Sequence, residues 1–262
     1  MRIIMNKLLL VILVGFALLA SCTTPRNIAY LQDVQENQPI PTQSDGYIRF
    51  QKGDKLNIYV HSRDEQLQDL FNIVSRTNMG NSNNQHNAAY TVNDSGKIDF
   101  PVLGPIEIVG LTREEVAKYI KDQLISKSLV KDPVVTVDFY NMHFSVLGNA
   151  GAGVKEITKD RITLMEALAM ASDLQIDGLR KNVLVMRQEG DKQVPYRVDL
   201  TSAQSVYNSP AYYIQQHDVI YVEPNNKYKR NSTVMGSTAF QPAFWMSLVS
   251  FLTTMAFIFI KK

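Results

Sequence analysis

The alternation of apolar and polar residues predicts two compact units in the middle of the chain, each combining short strands with one helix. In the first unit, residues 47–60 hold two alternating runs around Lys-Gly-Asp-Lys, which predicts strand, tight turn and strand. Thr112 opens a capping box that an apolar helical face follows. Residues 134–140, after an Asp-Pro break, are typical of a strand. The pattern predicts an α+β fold.

The second unit repeats this rhythm between residues 143 and 223. It begins with a strand, a glycine turn and a return strand, and a second capping box opens at Thr163. Near its end, Gln-His-Asp before an apolar run echoes Lys-Gly-Asp of the first unit, with Asp218 in the place of Asp54. We interpret Gly53, Asp54 and Asp218 as structural turn residues, and His217 as the counterpart of Gly53.

The N-terminus has the pattern of a secretory signal peptide. A basic start and an apolar run over residues 8–19 lead to Leu-Ala-Ser-Cys, which predicts cleavage between Ser21 and Cys22. A cysteine directly after Leu-Ala-Ser resembles the bacterial lipoprotein signal, in which that cysteine is acylated, typically with palmitate, and anchors the protein. Residues 22–46 are then a lipidated tether. The alternative is a transmembrane helix with an incidental cysteine, but the run is short for a span. Met5 is as good an initiator as Met1.

The C-terminus predicts a second membrane element. Residues 224–242 form a polar linker, and residues 243–260 carry no charge and would make a helix about 27 Å long, enough to cross a bilayer core. One face of that helix is small or hydroxyl-bearing and suits a pore lining or close helix packing; it comprises Ala243, Ser247, Ser250, Thr254 and Lys261. Trp245, Lys261 and Lys262 are candidate anchors at the interfaces. The alternatives are a buried core helix or a lone anchor. A lone anchor would be largely redundant on a lipidated protein, so an oligomeric role is favoured.

Composition excludes several classes of function. The chain has 27 basic and 25 acidic residues, and two of the basic ones lie in the leader, so the mature protein is balanced and nucleic-acid binding is not expected. Acylation of the single cysteine leaves no thiol for disulfides, zinc or nucleophilic catalysis. The four histidines form no metal motif, and neither a G-x-S-x-G elbow nor a nucleotide-binding glycine pattern is present. We predict no catalytic residue, no metal site, no cofactor and no enzymatic activity.

Several stretches together resemble the bacterial outer-membrane polysaccharide export lipoproteins. They are the lipoprotein signal, residues 47–60 with Gly53 and Asp54, Gly-Lys-Ile-Asp-Phe-Pro-Val-Leu-Gly at 96–104, Gly-Leu-Thr at 110–112, Asp-Pro-Val at 132–134, and Asp-Val-Ile-Tyr-Val-Glu-Pro at 218–224. The resemblance implies an export domain at 47–141, a β-grasp domain of the soluble-ligand-binding type at 143–223, and C-terminal helices that complete a pore. Better-known members carry more than one β-grasp unit, whereas this chain has room for one.

The resemblance implies a passive conduit for capsular or extracellular polysaccharide. Subunits would form a homo-oligomeric ring, lipid-anchored in the outer membrane with its body in the periplasm, and an inner-membrane co-polymerase or chain-length regulator would dock below it. The second residue of the mature chain, Thr23, favours sorting to the outer membrane. The alternatives are a monomeric lipoprotein that binds glycan or peptidoglycan, and a hydrolase, which would need an acid pair in a cleft.

Overall fold

The computed structural model describes residues 28–42, 45–63, 70–71, 89–233 and 242–260, and it has the α+β architecture that the sequence predicts. The helices are α1 (Arg113–Ser126), α2 (Leu164–Met170), α3 (Ala203–Tyr207), α4 (Asn226–Asn231) and α5 (Pro242–Ile260). The strands are β1 (Lys55–His61), β2 (Tyr90–Thr91), β3 (Lys97–Phe100), β4 (Gly104–Glu107), β5 (Val134–Phe139), β6 (His143–Gly148), β7 (Gly153–Glu156), β8 (Gly178–Glu189), β9 (Lys192–Val198) and β10 (Val219–Pro224).

The first domain is an antiparallel sheet of order β2-β1-β5 beside the two-stranded β3-β4. Its core is rich in aromatic rings, with Phe100 stacked between Phe71 and Tyr90 at centroid distances of 6.2 and 5.8 Å. Helix α1 buries Val116, Ile120 and Leu124, three positions at helical spacing.

Residues 47–50 depart from the predicted hairpin with β1. The end of β1 next to the turn is already paired with β2 on one side and with β5 on the other, so it has no free edge for them. They turn instead toward the loop before α1, where the Phe50 amide donates to the Leu111 carbonyl at 2.9 Å and the Gly110 amide donates to the Phe50 carbonyl at 2.8 Å. The turn itself lies where the sequence predicts it.

The second domain is a five-stranded sheet of order β7-β6-β10-β8-β9. The central strand β10 runs parallel to β6 and antiparallel to β8, and the two outer pairs are antiparallel hairpins. The predicted capping boxes both form: each threonine, Thr112 and Thr163, exchanges hydrogen bonds with the glutamate three residues later. Helix α2 buries Leu164, Ala167 and Leu168.

The two domains share one hydrophobic core. A single cluster of buried apolar side chains runs from the first domain through Met142 into Phe144 and Val146 of the second. Polar contacts reinforce the connection: the Ile48 amide donates to the Asp160 carbonyl at 2.9 Å, and Arg113 bridges Asp138 and Asp160 with N–O distances of 3.2 and 2.7 Å. The domains are therefore packed against each other rather than joined by a free linker.

Part of the predicted tether is held against the second domain. The amides of Leu31 and Gln32 donate to the carbonyls of Leu200 and Thr201 at 3.0 and 2.7 Å. The Asp33 carboxylate accepts from the Ser202 hydroxyl and the Ala203 amide at the start of α3. The chain is thus fixed to the second domain before it enters the first.

The C-terminal helix α5 forms where the sequence predicts a helix, but the prediction of a transmembrane helix over 243–262 is not supported. Within the part of the chain that the structure describes, no helix is both long and apolar enough to cross a membrane. The helix nevertheless exposes large apolar side chains around most of its circumference, leaving the face of Ala243, Ser247, Ser250 and Thr254; the apolar ones include Phe244, Trp245, Met246, Leu248, Val249, Phe251, Met255 and Ile258.

Candidate functional site

The structure brings together the two turns that the sequence pairs, and they form the polar centre of the domain junction. In the first turn, Asp54 Oδ2 accepts the Gln51 amide at 2.7 Å, and Gly53 has a φ of +87°. In the second turn, Asp218 Oδ2 accepts the Gln215 amide at 2.9 Å, and His217 has a φ of +66°.

Each turn also bonds a neighbouring segment through two backbone groups, the amide of its left-handed residue and the carbonyl of its aspartate. The Gly53 amide donates to the Val92 carbonyl at 2.8 Å, and the Val92 amide donates back to the Asp54 carbonyl at 2.9 Å. In the second domain, the His217 amide donates to the His143 backbone carbonyl, and the Ser145 amide donates to the Asp218 backbone carbonyl, both at 2.9 Å. The two segments that resemble each other in sequence therefore form similar turns, and Gly53, Asp54 and Asp218 lie in them.

The two turns contact each other through Gln216, which is buried. Its Oε1 accepts the His143 amide at 2.7 Å, which fixes the orientation of the side-chain amide, and its Nε2 lies 2.8 Å from His217 Nε2. Gln216 also lies near the Asp54 side chain and lowers the pKa of its carboxyl. One glutamine therefore links the aspartate of the first turn to the histidine of the second.

Two histidine rings stack beside this glutamine. The centroids of His143 and His217 are 5.0 Å apart with an interplanar angle of 27°. His143 Nδ1 lies 2.8 Å from the Asn141 carbonyl, which can only accept, so this nitrogen carries a proton. Burial, with a smaller effect of His143, lowers the pKa of His217. Since His217 Nε2 faces an amide donor, its ring is neutral and accepts that hydrogen bond.

The two aspartates differ in how their charge is balanced. Asp218 is fully buried and faces the Arg187 guanidinium, with Nη2–Oδ2 and Nε–Oδ1 distances of 2.7 and 3.1 Å. Burial raises its pKa, and Arg187 opposes that shift. Asp54 is 1% exposed and has only uncharged donors and nearby His143, so burial raises its pKa to about 6.

The other predicted site residues lie at the two ends of the chain. Ser21, Cys22, Lys261 and Lys262 fall outside the described residues. Ala243, Ser247, Ser250 and Thr254 are exposed on α5, and two of the hydroxyls donate back to helix carbonyls, Ser247 to Phe244 at 2.9 Å and Thr254 to Ser250 at 2.8 Å. Trp245 is also exposed, with its ring against that of Phe244.

Sequence reasoning missed Arg187, Gln216 and His143 as members of the junction. Arg187 carries a recognisable signal, since it follows Val183 and Val185 on the inward face of β8, where a charge needs a buried partner. Among the described residues, no group of three His, Cys, Asp or Glu side chains is placed to hold a metal ion.

Comparison with known protein families assigns the first domain. Residues 42–139 match the model of the polysaccharide biosynthesis/export protein family. This part of the chain is a polysaccharide export domain. The match spans β1 to β5 with the first aspartate turn, and it agrees with the resemblance found in the sequence. The export domain gives the protein a role in polysaccharide export or biosynthesis, and its buried turn faces the second domain, where Asp218 and Gln216 lie.

Proposed function

We propose that this protein is a lipid-anchored subunit of a ring-shaped outer-membrane assembly through which capsular or extracellular polysaccharide leaves the cell. The observation that carries the proposal is the export domain at 42–139. The lipoprotein signal at Cys22 and Thr23 supports anchoring in the outer membrane with the body in the periplasm. The protein acts as a passive conduit, and the energy for export comes from its partners.

The second domain supports this assignment as a β-grasp unit of the soluble-ligand-binding type. Its mixed sheet has a parallel central pair, β6 and β10, with α2 packed into the same core. Because it shares a core with the export domain, the two domains form one building block for a ring. A single such block makes a short vestibule, so an inner-membrane co-polymerase or chain-length regulator bridges the rest of the envelope.

The exposed helix α5 favours an oligomer over a monomeric glycan-binding lipoprotein. A helix that exposes large apolar side chains around most of its circumference needs a covering surface, because large exposed apolar areas are unfavourable in water. Ala243, Ser247, Ser250 and Thr254 give it a face on which helices can approach closely. We assign α5 to contacts between subunits at the membrane end of the ring.

Electron microscopy of the mature, lipidated protein in mild detergent tests the proposal. The full chain should give rings with an axial opening, and the same chain truncated after residue 241 should give smaller or no assemblies. A matched control, Lys159→Met, breaks a surface ion pair with Glu166 on the second domain and should leave the rings unchanged. Monomers in every sample, also after addition of the inner-membrane partner, would support the monomeric binding lipoprotein instead.

A further inference from the structure

A cavity at one end of the second domain lies where both ends of the chain leave the folded body. It has a volume of about 360 Å³ and is lined by Ile28, at the start of the described chain, and by Asn225 and Lys227, at the start of α4. The first residues of β8 complete its wall. The part of the chain that leads toward Cys22 and the part that leads toward α5 therefore emerge at the same place.

The rim of this cavity is basic. Lys181 and Lys227 are both exposed, and within the described chain neither forms an ion pair. The buried Arg180 lies beneath them, with Nη1 donating to the Gln175 and Gly178 carbonyls at 2.8 Å. The one acid of the wall, Asp177, accepts a hydrogen bond from Asn225 at 3.0 Å. The positive charges exceed the negative ones, so the rim attracts anions.

An apolar side chain projects beside these lysines. Ile176 is 70% exposed, more than any other large apolar side chain in the described chain. It lines the same cavity as Ile28 and the partly exposed Leu179. Exposed apolar side chains among lysines are typical of surfaces that sit at a membrane interface, where the apolar atoms enter the headgroup layer and the ammonium groups meet phosphates.

The short segment between Cys22 and Ile28 keeps the cavity end of the second domain close to the lipid anchor. Ile28 lies six positions after Cys22, so even a fully extended connection spans only about 20 Å. The hydrogen bonds of Leu31 and Gln32 to the second domain prevent the domain from swinging away from that connection. If Cys22 carries acyl chains, the cavity rim must stay near the membrane surface.

We propose that this end of the second domain, defined by Ile176, Lys181 and Lys227, docks on anionic phospholipid headgroups of the membrane that holds the acylated Cys22. The inference rests on the lipidation included in the proposed function. Docking fixes the tilt of the second domain against the bilayer, so that all subunits of a ring present the same orientation. It requires no contact with the exported polysaccharide.

The single cysteine makes a direct test possible. Because Cys22 is the only cysteine and acylation consumes its thiol, Ile176→Cys provides a unique site for an environment-sensitive NBD label. The lipidated protein is inserted into preformed phosphatidylcholine vesicles, with or without one third phosphatidylglycerol. We expect a blue shift of the label and quenching by a spin label near the headgroups, at least about twofold stronger with phosphatidylglycerol and weakened by salt.

Two controls define the outcome. Lys181→Gln with Lys227→Gln should remove the effect of phosphatidylglycerol, while a label at Val134→Cys, on the 58% exposed Val134 of the export domain, should not be quenched. Equal quenching at both label positions, or no effect of the lysine changes, overturns the proposal. A response to soluble alginate but not to vesicles assigns the cavity to a glycan and also overturns it.

Mass spectrometry of the same samples separates this inference from the proposed function. Acylated Cys22 with an unresponsive label refutes the docking surface and leaves the lipoprotein assignment intact. Unacylated Cys22 refutes the anchoring itself, and with it the docking that rests on it.

Discussion

The two aspartate turns have the same backbone conformation, but only one of the two buried carboxylates has an arginine as its counter-charge. Both bury a carboxylate that accepts an amide three residues earlier, and both place a left-handed residue just before it. The turn of the second domain adds Arg187, whereas the turn of the export domain uses neutral donors and His143. A repeated turn therefore conserves geometry, while the stability of each copy depends on what the surrounding domain supplies.

The presence of Arg187 in only one of the two turns affects the stability of the domain junction. The Asp218 turn is held rigidly because Arg187 also donates to the carbonyls of Pro210 and Tyr213, at 3.0 and 2.7 Å. The Asp54 turn has no such cation, and Gln216, which belongs to the other domain, lowers the pKa of its buried carboxyl. The second domain thus stabilises itself, and the export domain draws part of its stability from the junction.

The largest effect is expected for Arg187→Met. The change leaves Asp218 buried without a counter-charge and frees two backbone carbonyls, so the free energy of unfolding should fall by about 3–5 kcal/mol. Equilibrium urea unfolding in mild detergent measures it. Adding Asp218→Asn should recover part of the loss, because the buried charge is then gone.

A surface ion pair provides the matched control for that loss. Lys159→Met breaks the exposed pair with Glu166 and should cost less than about 1 kcal/mol. If Arg187→Met lowers the free energy of unfolding by no more than Lys159→Met, then Arg187 does not stabilise the Asp218 turn, and the proposed difference between the two turns is wrong.

The second prediction concerns the pH dependence contributed by Asp54. Its folded-state pKa of about 6 exceeds the unfolded value, so the folded protein binds this proton more tightly. The resulting stabilisation is present below the unfolded pKa and is lost as the pH rises through about 6. Between pH 4 and 7, the unfolding free energy of the wild type relative to Asp54→Asn should fall by on the order of 2–3 kcal/mol.

Urea unfolding of the wild type and Asp54→Asn at several pH values between 4 and 7 measures how steeply the unfolding free energy changes with pH, rather than the absolute stability. Asp138→Asn, which removes a half-exposed carboxylate that pairs with Arg113, is the control for the loss of a carboxylate as such. A wild-type slope equal to that of Asp54→Asn would contradict the assignment of a raised pKa to Asp54.

The local signals of the sequence were sufficient for the elements but not for their partners. The capping boxes at Thr112 and Thr163 and the hairpin of β6 and β7 depend on residues a few positions apart, and all three form as predicted. The similarity between the two turn sequences could be recognised for the same reason, since each turn is defined by a few adjacent residues. The fold class followed from these elements, and the family match confirms the polysaccharide export resemblance.

Long-range pairings left no comparable signal. The parallel pairing of β6 with β10 joins strands that lie far apart in the chain, and residues 47–50 lost their predicted pairing because the end of β1 next to the turn has no free edge. The docking of Leu31 and Gln32 uses backbone groups, which every residue has. The contact between the two turns depends on Gln216, whose sequence neighbours do not indicate that its amide faces another domain.

The third prediction isolates the backbone of the first turn. Gly53 has a φ of +87°, and a β-carbon there would meet no atom within 4 Å, so Gly53→Ala adds strain without a clash. It should cost about 1–2 kcal/mol, and Gly53→Asn should cost less, since asparagine tolerates the left-handed region. Thermal unfolding distinguishes the two variants. Equal, negligible costs would mean that the turn relaxes to another conformation.

The smallest net effect is expected at the matching position of the second turn. His217→Gly removes the strain of a φ of +66° but also removes the stacked ring and the hydrogen bond with Gln216, so the two contributions should nearly cancel, to within about 1 kcal/mol. His217→Ala loses the same ring and keeps the strain, so it should be less stable than His217→Gly by about 1–2 kcal/mol. The difference in unfolding free energy between His217→Ala and His217→Gly measures the backbone strain at this position without the ring. If it matches the cost of Gly53→Ala, the two turns share one conformational preference and differ only in their side chains; if His217→Gly is itself strongly destabilising, the histidine ring, rather than the turn, holds the junction together.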